Sequence, residues 1–218
     1  MASYQDTPLP ADEADVSPIF QAWHEFDDAN ERWGPLDAAR ATSSFGDRRK
    51  TSDRDSQSLV LVTWNVNYSL PTPKLRTSAI VSLTPAVDII FLQEVTRAAL
   101  FVILNDARIR QHWFSSEANA ANWGGHLYKS MMLLSNTRFA YPKGSSEQAT
   151  LGPVWRVKYP SRFGRDAICC DIFVPLSPPA SATLINVYLD SLPSLRQPLA
   201  VLDKSQSLPP YSAVRAVV

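Results

Sequence analysis

The apolar positions of this chain fall into short runs, and two of these runs stop at residues with strong chemistry. Leu59 to Trp64 is apolar or β-branched and ends at Asn65, and Val87 to Leu92 is nearly all apolar and ends at Gln93-Glu94. Between them, Thr72 to Leu83 has the period of a helix. Thr72 suits its N-cap, Pro73 its first position, and Leu75, Ala79, Ile80 and Leu83 share one face. Strand, helix and strand predict a right-handed βαβ unit with parallel strands. Both C-terminal strand ends then sit at one edge of a sheet. Asn65 and Glu94 fall roughly 5 Å apart across the ladder, in the mouth where open α/β folds place ligands.

Thr96 can cap a second helix, with Leu100, Ile103, Leu104 and Ala107 on its apolar face. A loop rich in Ser, Asn and Ala runs to Gly124-Gly125, and His126 to Ser135 reads as a strand. Residues 141–164, with Pro142, Pro153 and Pro160, read as a long loop. Asp166 to Val174 alternates, with Ile168, Cys170, Ile172 and Val174 on one face. Thr183 to Leu189 follows, with Ile185 and Val187 on one face and Asn186 and Tyr188 on the other. These two strands are expected to pair antiparallel. Ahead of all this, residues 19–33 carry Phe20, Trp23, Phe26 and Trp33. They form either a helical stripe or a hairpin turning at Asp27-Asp28-Ala29-Asn30. The expected division is a mostly disordered region over 1–57 holding that aromatic segment, a domain over 58–192, and an unstructured tail over 193–218.

Composition changes the picture in two places. Charge is uneven: residues 1–57 hold 12 acidic and 6 basic side chains, against 9 and 15 in the remainder. The folded part is therefore mildly basic, which suits a polyanionic partner. The chain's 2 cysteines, Cys169 and Cys170, are adjacent. On a strand they point to opposite faces, so they read as small apolar residues of a reduced, intracellular protein, nuclear or cytoplasmic. No apolar run is long enough for a signal peptide or a membrane span.

The residues around the two strand ends carry a resemblance. Thr63-Trp64-Asn65-Val66-Asn67, Ile90-Phe91-Leu92-Gln93-Glu94-Val95 and Thr183-Leu184-Ile185-Asn186-Val187-Tyr188-Leu189-Asp190-Ser191 resemble, in order, three motifs of the endonuclease/exonuclease/phosphatase superfamily. Met131-Met132-Leu133-Leu134-Ser135 and Arg162-Phe163-Gly164-Arg165-Asp166 look most like its 5′-tyrosyl-DNA phosphodiesterase branch, the tyrosyl-DNA phosphodiesterase 2-like enzymes. The resemblance covers roughly residues 58–192 and implies the α/β, DNase I-like fold, a four-layer αββα sandwich. The expectation for this chain is part of that sandwich: one mixed sheet with helices on its outer face, and an exposed inner face.

The resemblance also implies chemistry. Glu94 is the expected ligand of Mg²⁺, or of Mn²⁺, and Asn65 the expected partner of the phosphate or the attacking water. Tyr188 stands where the closest branch carries His; a phenol can donate to a phosphate oxygen but carries no positive charge. Arg165 can clamp a phosphate, since a guanidinium fork matches its oxygens. The superfamily's later motifs, Gly-Asp-x-Asn and Ser-Asp-His, occur nowhere in the 218 residues. His24, His112 and His126 are the 3 histidines, and none follows Ser-Asp. The resemblance thus implies a Mg²⁺-dependent phosphodiesterase acting on 5′-phosphotyrosyl-DNA in repair, here expected to be truncated and catalytically incomplete. Two other readings stay open: an inert or binding fragment for DNA or a protein partner, and a relative of sphingomyelinases or inositol phosphatases.

Overall fold

The computed structural model describes residues 17–36, 58–66, 80, 82, 87–123, 126–141, 148–159, 165–174, 180–188 and 211–217. They form two β-sheets packed face to face, with helices on the outer side of one. The larger sheet holds seven strands. Within it β4 (Ser58–Asn65) and β5 (Ile89–Thr96) pair in parallel, with Asn65 opposite Gln93. The parallel pair of the βαβ reading is therefore present. Of its crossover only Ile80 and Ser82 are described; both are helical, and Ile80 is fully buried. The rest of the Thr72–Leu83 helix lies outside the described residues. On the far side of β5 come β7 (Tyr128–Ser135), β6 (Trp113–Ser115), β2 (His24–Asp27) and β3 (Arg32–Pro35). On the near side β12 (Tyr211–Val217) pairs antiparallel with β4.

The second sheet runs β1 (Ile19–Gln21), β9 (Ala149–Lys158), β10 (Asp166–Val174), β11 (Ala180–Val187), with β8 (Phe139–Ala140) beside β9. The α/β class holds, as part of a two-sheet sandwich. The expected single mixed sheet does not: β10 and β11 pair as foreseen, but in a separate sheet that covers the inner face of the first. The surface left open is the outer face of this second sheet, where Phe173, Ile185 and Val187 are 47%, 52% and 39% exposed.

Burial on both faces explains the continuous apolar runs. Along β5, Ile90, Leu92 and Val95 face the helices, while Ile89 and Phe91 face the second sheet. Along β7, Met131 and Leu133 point one way and Met132 and Leu134 the other. The helical side holds α1 (Arg97–Asn105) and α2 (Ala107–His112). Thr96 caps α1 by accepting from the Ala99 N–H at 3.1 Å. The single helix expected through Ala107 is broken because Asp106 leaves the helical conformation and caps α2, accepting from the Arg108 N–H at 2.9 Å.

One open alternative is decided and two further expectations change. The aromatic segment takes the hairpin alternative, β2 and β3 turning at Asp27–Asn30, where Asp27 Oδ1 accepts from the Ala29 N–H at 3.0 Å. Its start, β1, joins the other sheet, so the aromatic segment stitches both sheets together. Residues 149–158 of the supposed loop are strand β9. Gly152 and Pro153 are tolerated there because the β9–β10 register slips beside them, between Cys170 and Ile172. A Cβ on Gly152 would lie 2.8 Å from the Phe173 ring and 3.0 Å from the Asp171 carbonyl, so the close approach requires glycine. Finally, strand β12 lies in the segment expected to be an unstructured tail; residues 189–210 are outside the described set.

Candidate active site

The C-terminal ends of β4 and β5 meet the C-terminal end of β11 across the two sheets. The meeting point is built by an irregularity in β5. Its pairing with β7 slips between Leu92 and Val95, so Gln93 and Glu94 together face one residue, Ser130. Glu94 adopts φ 53° there, a left-handed conformation that costs a non-glycine residue about 1–3 kcal/mol. In a regular strand, consecutive side chains point to opposite faces. Here the bulge lets both Gln93 and Glu94 reach β11.

Two parallel rungs result. In the lower one, the Gln93 amide donates to Thr63 Oγ1 at 3.0 Å and to Asn186 Oδ1 at 2.5 Å. Asn186, 1% exposed, in turn donates to the carbonyls of Leu92 and Met131, both at 3.0 Å. In the upper rung, Asn65 Nδ2 donates to Glu94 Oε1 at 3.1 Å, and the Tyr188 hydroxyl donates to the same oxygen. The i, i+2 spacing of Thr63/Asn65 and Asn186/Tyr188 puts each pair on one face, so the buried rung fixes the open one. Gln93, Thr63 and Asn186 were not read as site residues from the sequence. The only signal was their place beside or two residues from the residues that were.

Arg165 completes the cluster. Its guanidinium carbon sits 3.6 Å from the centre of the Tyr188 ring and 5.4 Å from that of Tyr128, and the two tyrosine rings meet edge to face. Tyr128 is a site residue that sequence reasoning missed. All four residues singled out from the sequence, Asn65, Glu94, Arg165 and Tyr188, thus come together. Burial, then the Glu94 hydrogen bond and charge, raise the Tyr188 phenol well above the ordinary tyrosine value, against an opposing effect of Arg165. Tyr188 therefore stays a neutral donor across the neutral range. The contribution of its bond to Glu94 is full below the ordinary tyrosine pKa and is lost as pH rises through the raised value. Ultraviolet titration should show one tyrosine ionising above the others, removed by Tyr188→Phe. An unchanged titration curve in that variant would contradict the geometry.

Beside this cluster lies a buried ionic group. The Arg156 guanidinium, 2% exposed, pairs with Asp166 and with Glu117 and donates to the Ser130 carbonyl at 3.0 Å. Glu117 also accepts from Trp123 Nε1 at 3.2 Å, and Asp166 from the Ser130 N–H at 3.3 Å. The Asp166 carboxylate is committed to Arg156, and the Asp166 carbonyl accepts from the Tyr188 N–H at 3.2 Å. The group ties the loop after β6 to the strand that presents Arg165.

Mg²⁺ takes one or two carboxylates and fills its octahedron with water and substrate phosphate oxygens. The donor set fits such an ion in its sparest form, with Glu94 as the protein ligand. Among the described residues no group of three or more His, Cys, Asp or Glu could hold a metal. The arrangement combines one carboxylate, two neutral donors that both bond it, and the Arg165 guanidinium over the Tyr188 ring, at the mouth formed by three strand ends.

No protein-family model and no curated protein matches the sequence. The likeness found is one of structure: the chain is similar to a humanised zebrafish TDP2 carrying 14 mutations, at 16% identity and a TM-score of 0.47, over 64% of this chain and 53% of that one. It is similar to zebrafish TDP2 complexed with a single-strand DNA product, at 17% identity and a TM-score of 0.46, over 64% and 49%. It is also similar to TDP2 from C. elegans, at 18% identity and a TM-score of 0.47, over 71% and 41%. The chain thus spans about half the length, or less, of the solved structures to which it is similar.

Proposed function

We propose that Asn65, Glu94, Tyr188 and Arg165 form the metal-and-phosphate centre of a phosphodiesterase of the endonuclease/exonuclease/phosphatase kind, by resemblance one acting on 5′-phosphotyrosyl-DNA in repair. The observation that carries this reading is the convergence of Asn65 and Tyr188 on one oxygen of Glu94, at the mouth formed by three strand ends. The three motifs that resemble that superfamily supply these three residues, and the basic excess of residues 58–218 suits a nucleic acid. The reading places the chain with DNA inside the cell.

Hydrolysis joins a water oxygen to phosphorus as the bond to the leaving oxygen breaks, and a net proton passes from the water to that oxygen. Mg²⁺ on Glu94 would supply charge screening for the phosphate. Arg165 would hold a non-bridging oxygen through its guanidinium fork. Asn65 is aimed by Glu94 and offers its second amide N–H to a remaining oxygen, while Tyr188, whose one hydroxyl proton goes to Glu94, holds that carboxylate in place. The Tyr188 phenol is a poor base, because its proton is held by burial and by Glu94. The four residues therefore bind and orient, and the water-activating group is not among them.

Mg²⁺ binding is the direct test. One carboxylate gives weak affinity, about millimolar in dissociation constant, since the ion keeps most of its waters. Calorimetry should find such binding in the wild-type chain and none in Glu94→Ala. Tight binding, or binding that survives Glu94→Ala, would remove Glu94 from its role.

A further inference from the structure

The second sheet ends on β11, and this edge lacks the features that usually keep a sheet edge from pairing. Exposed edges are normally short, charged, interrupted by proline or bulged. Among the described residues the other sheet ends follow that rule. β1 is 3 residues long, β3 carries Arg32 and Pro35, and β12 carries Arg215. β11 runs for 8 residues, Ala180-Ser181-Ala182-Thr183-Leu184-Ile185-Asn186-Val187, without a charge, a proline or a glycine. Its register against β10 is unbroken from Ala167 opposite Val187 to Val174 opposite Ala180.

That register decides which backbone groups point outward. The Tyr188 N–H donates to the Asp166 carbonyl, so the even-numbered residues of β11 spend their N–H and C=O groups on β10. Those of Ser181, Thr183, Ile185 and Val187 point away from the sheet, and no strand pairs with them among the described residues. The side chains of the same four residues are exposed, while Ala182 and Leu184 pack on the core between the sheets and Asn186 is buried.

The chemistry of this edge suits a second copy of itself. Turned about a two-fold axis through Leu184, a second β11 sets its Thr183 against Ile185 and its Ser181 against Val187. All four outward residues are then used, each pair exchanging two N–H···O bonds, about eight in all. No charge meets a like charge across the axis, and the formal net charge of the chain is 0, so two copies do not repel. Thr183 Oγ1 already donates to Asp171 at 2.7 Å, which leaves its methyl to Ile185 of the second copy. Small Ser181 stands between the exposed Phe173 on β10 and Val187 of the second copy, so these two apolar groups can close over it.

We propose that the chain forms a two-fold dimer in which two β11 edges pair antiparallel and join the second sheets of both copies into one. Pairing stops at Val187, so Tyr188 keeps its place at Glu94. The Tyr188 Cα atoms of the two copies then lie about 27 Å apart at about 3.4 Å per residue. The inference stands apart from the phosphodiesterase reading, since it gives no residue a catalytic role.

Sedimentation equilibrium of the 218-residue chain should show the mass rising with concentration from monomer to dimer and no further. Thr183→Pro removes one outward N–H from each copy and leaves the ladder to β10 intact. It should weaken association at least about 30-fold. Ile185→Lys, at a position 52% exposed, sets two ammonium groups diagonally across the axis and should weaken association as well. Phe101→Lys, at a position 70% exposed on α1, should leave it unchanged. Residue-resolved amide exchange of the unmodified chain locates the contact. Concentrating the sample should slow exchange at Ser181, Thr183, Ile185 and Val187 and not at Ala182, Leu184 and Asn186. The proposal is overturned if the chain stays monomeric, if protection arises elsewhere than at those four residues, or if Thr183→Pro and Ile185→Lys both dimerise as the unmodified chain does.

Discussion

Arg156→Met should destabilise the fold by about 3–5 kcal/mol, because it removes the cation and leaves two buried carboxylates facing each other. Glu117 and Asp166 are each under 5% exposed, so water cannot take over the guanidinium's role. The intact group is not for that reason a large net contributor. Desolvating three charges costs nearly what their attraction returns. The asymmetry predicts the result of a second variant: replacing Glu117 and Asp166 by Gln and Asn along with Arg156→Met should cost less than the single change. Urea unfolding with an unchanged slope measures both. A loss below about 1 kcal/mol for Arg156→Met would mean the pair is water-exposed, as surface pairs are.

The second large effect concerns turnover. A 5′-tyrosyl-linked single-stranded oligonucleotide with Mg²⁺ should be cleaved by the 218-residue chain at least about 10²-fold more slowly than a complete general acid–base site would achieve. The 218 residues contain neither Gly-Asp-x-Asn nor Ser-Asp-His, and the site's own side chains bind rather than activate water. A missing transition-state donor removes about 10²–10³-fold on its own, and the two losses need not multiply. Two side chains near the site that could act as a base are described. Asp166 is occupied by Arg156. His126 is held below its ordinary value by burial and by Lys129 and Lys158, against a weaker opposing effect of Asp166. Asp190 lies outside the described residues. Fast, Glu94-dependent cleavage would show that a base is present.

The parts of this architecture that the sequence made legible are local. The β4–β5 pair was readable because its apolar runs are short, doubly buried and end at polar residues. The Thr96 cap and the face alternation of β10 and β11 were readable for similar reasons. What escaped depends on contacts distant in sequence. Nothing in Ile19-Phe20-Gln21 announces that it will pair with residues 154–156 of β9, or that His24 will join the other sheet opposite Ser115. Strand β9 was hidden because Gly152 and Pro153 interrupt it, and only the register slip against β10 makes them tolerable. The site was half legible. Asn65, Glu94, Tyr188 and Arg165 could be named from their motifs, but not the bulge that turns Glu94 toward β11. The partnership of Arg156 with Glu117, 39 positions away, was equally invisible.

The central claim is that Glu94, aimed by Asn65 and Tyr188, is where a divalent ion and a phosphate meet. Fluorescence anisotropy of a 5′-phosphorylated single-stranded oligonucleotide, titrated with this chain with and without Mg²⁺, tests it most directly. The account predicts that Mg²⁺ tightens binding to the wild-type chain and that Glu94→Ala abolishes the tightening while leaving the metal-free affinity in place. A Mg²⁺ response of the same size in Glu94→Ala would contradict it.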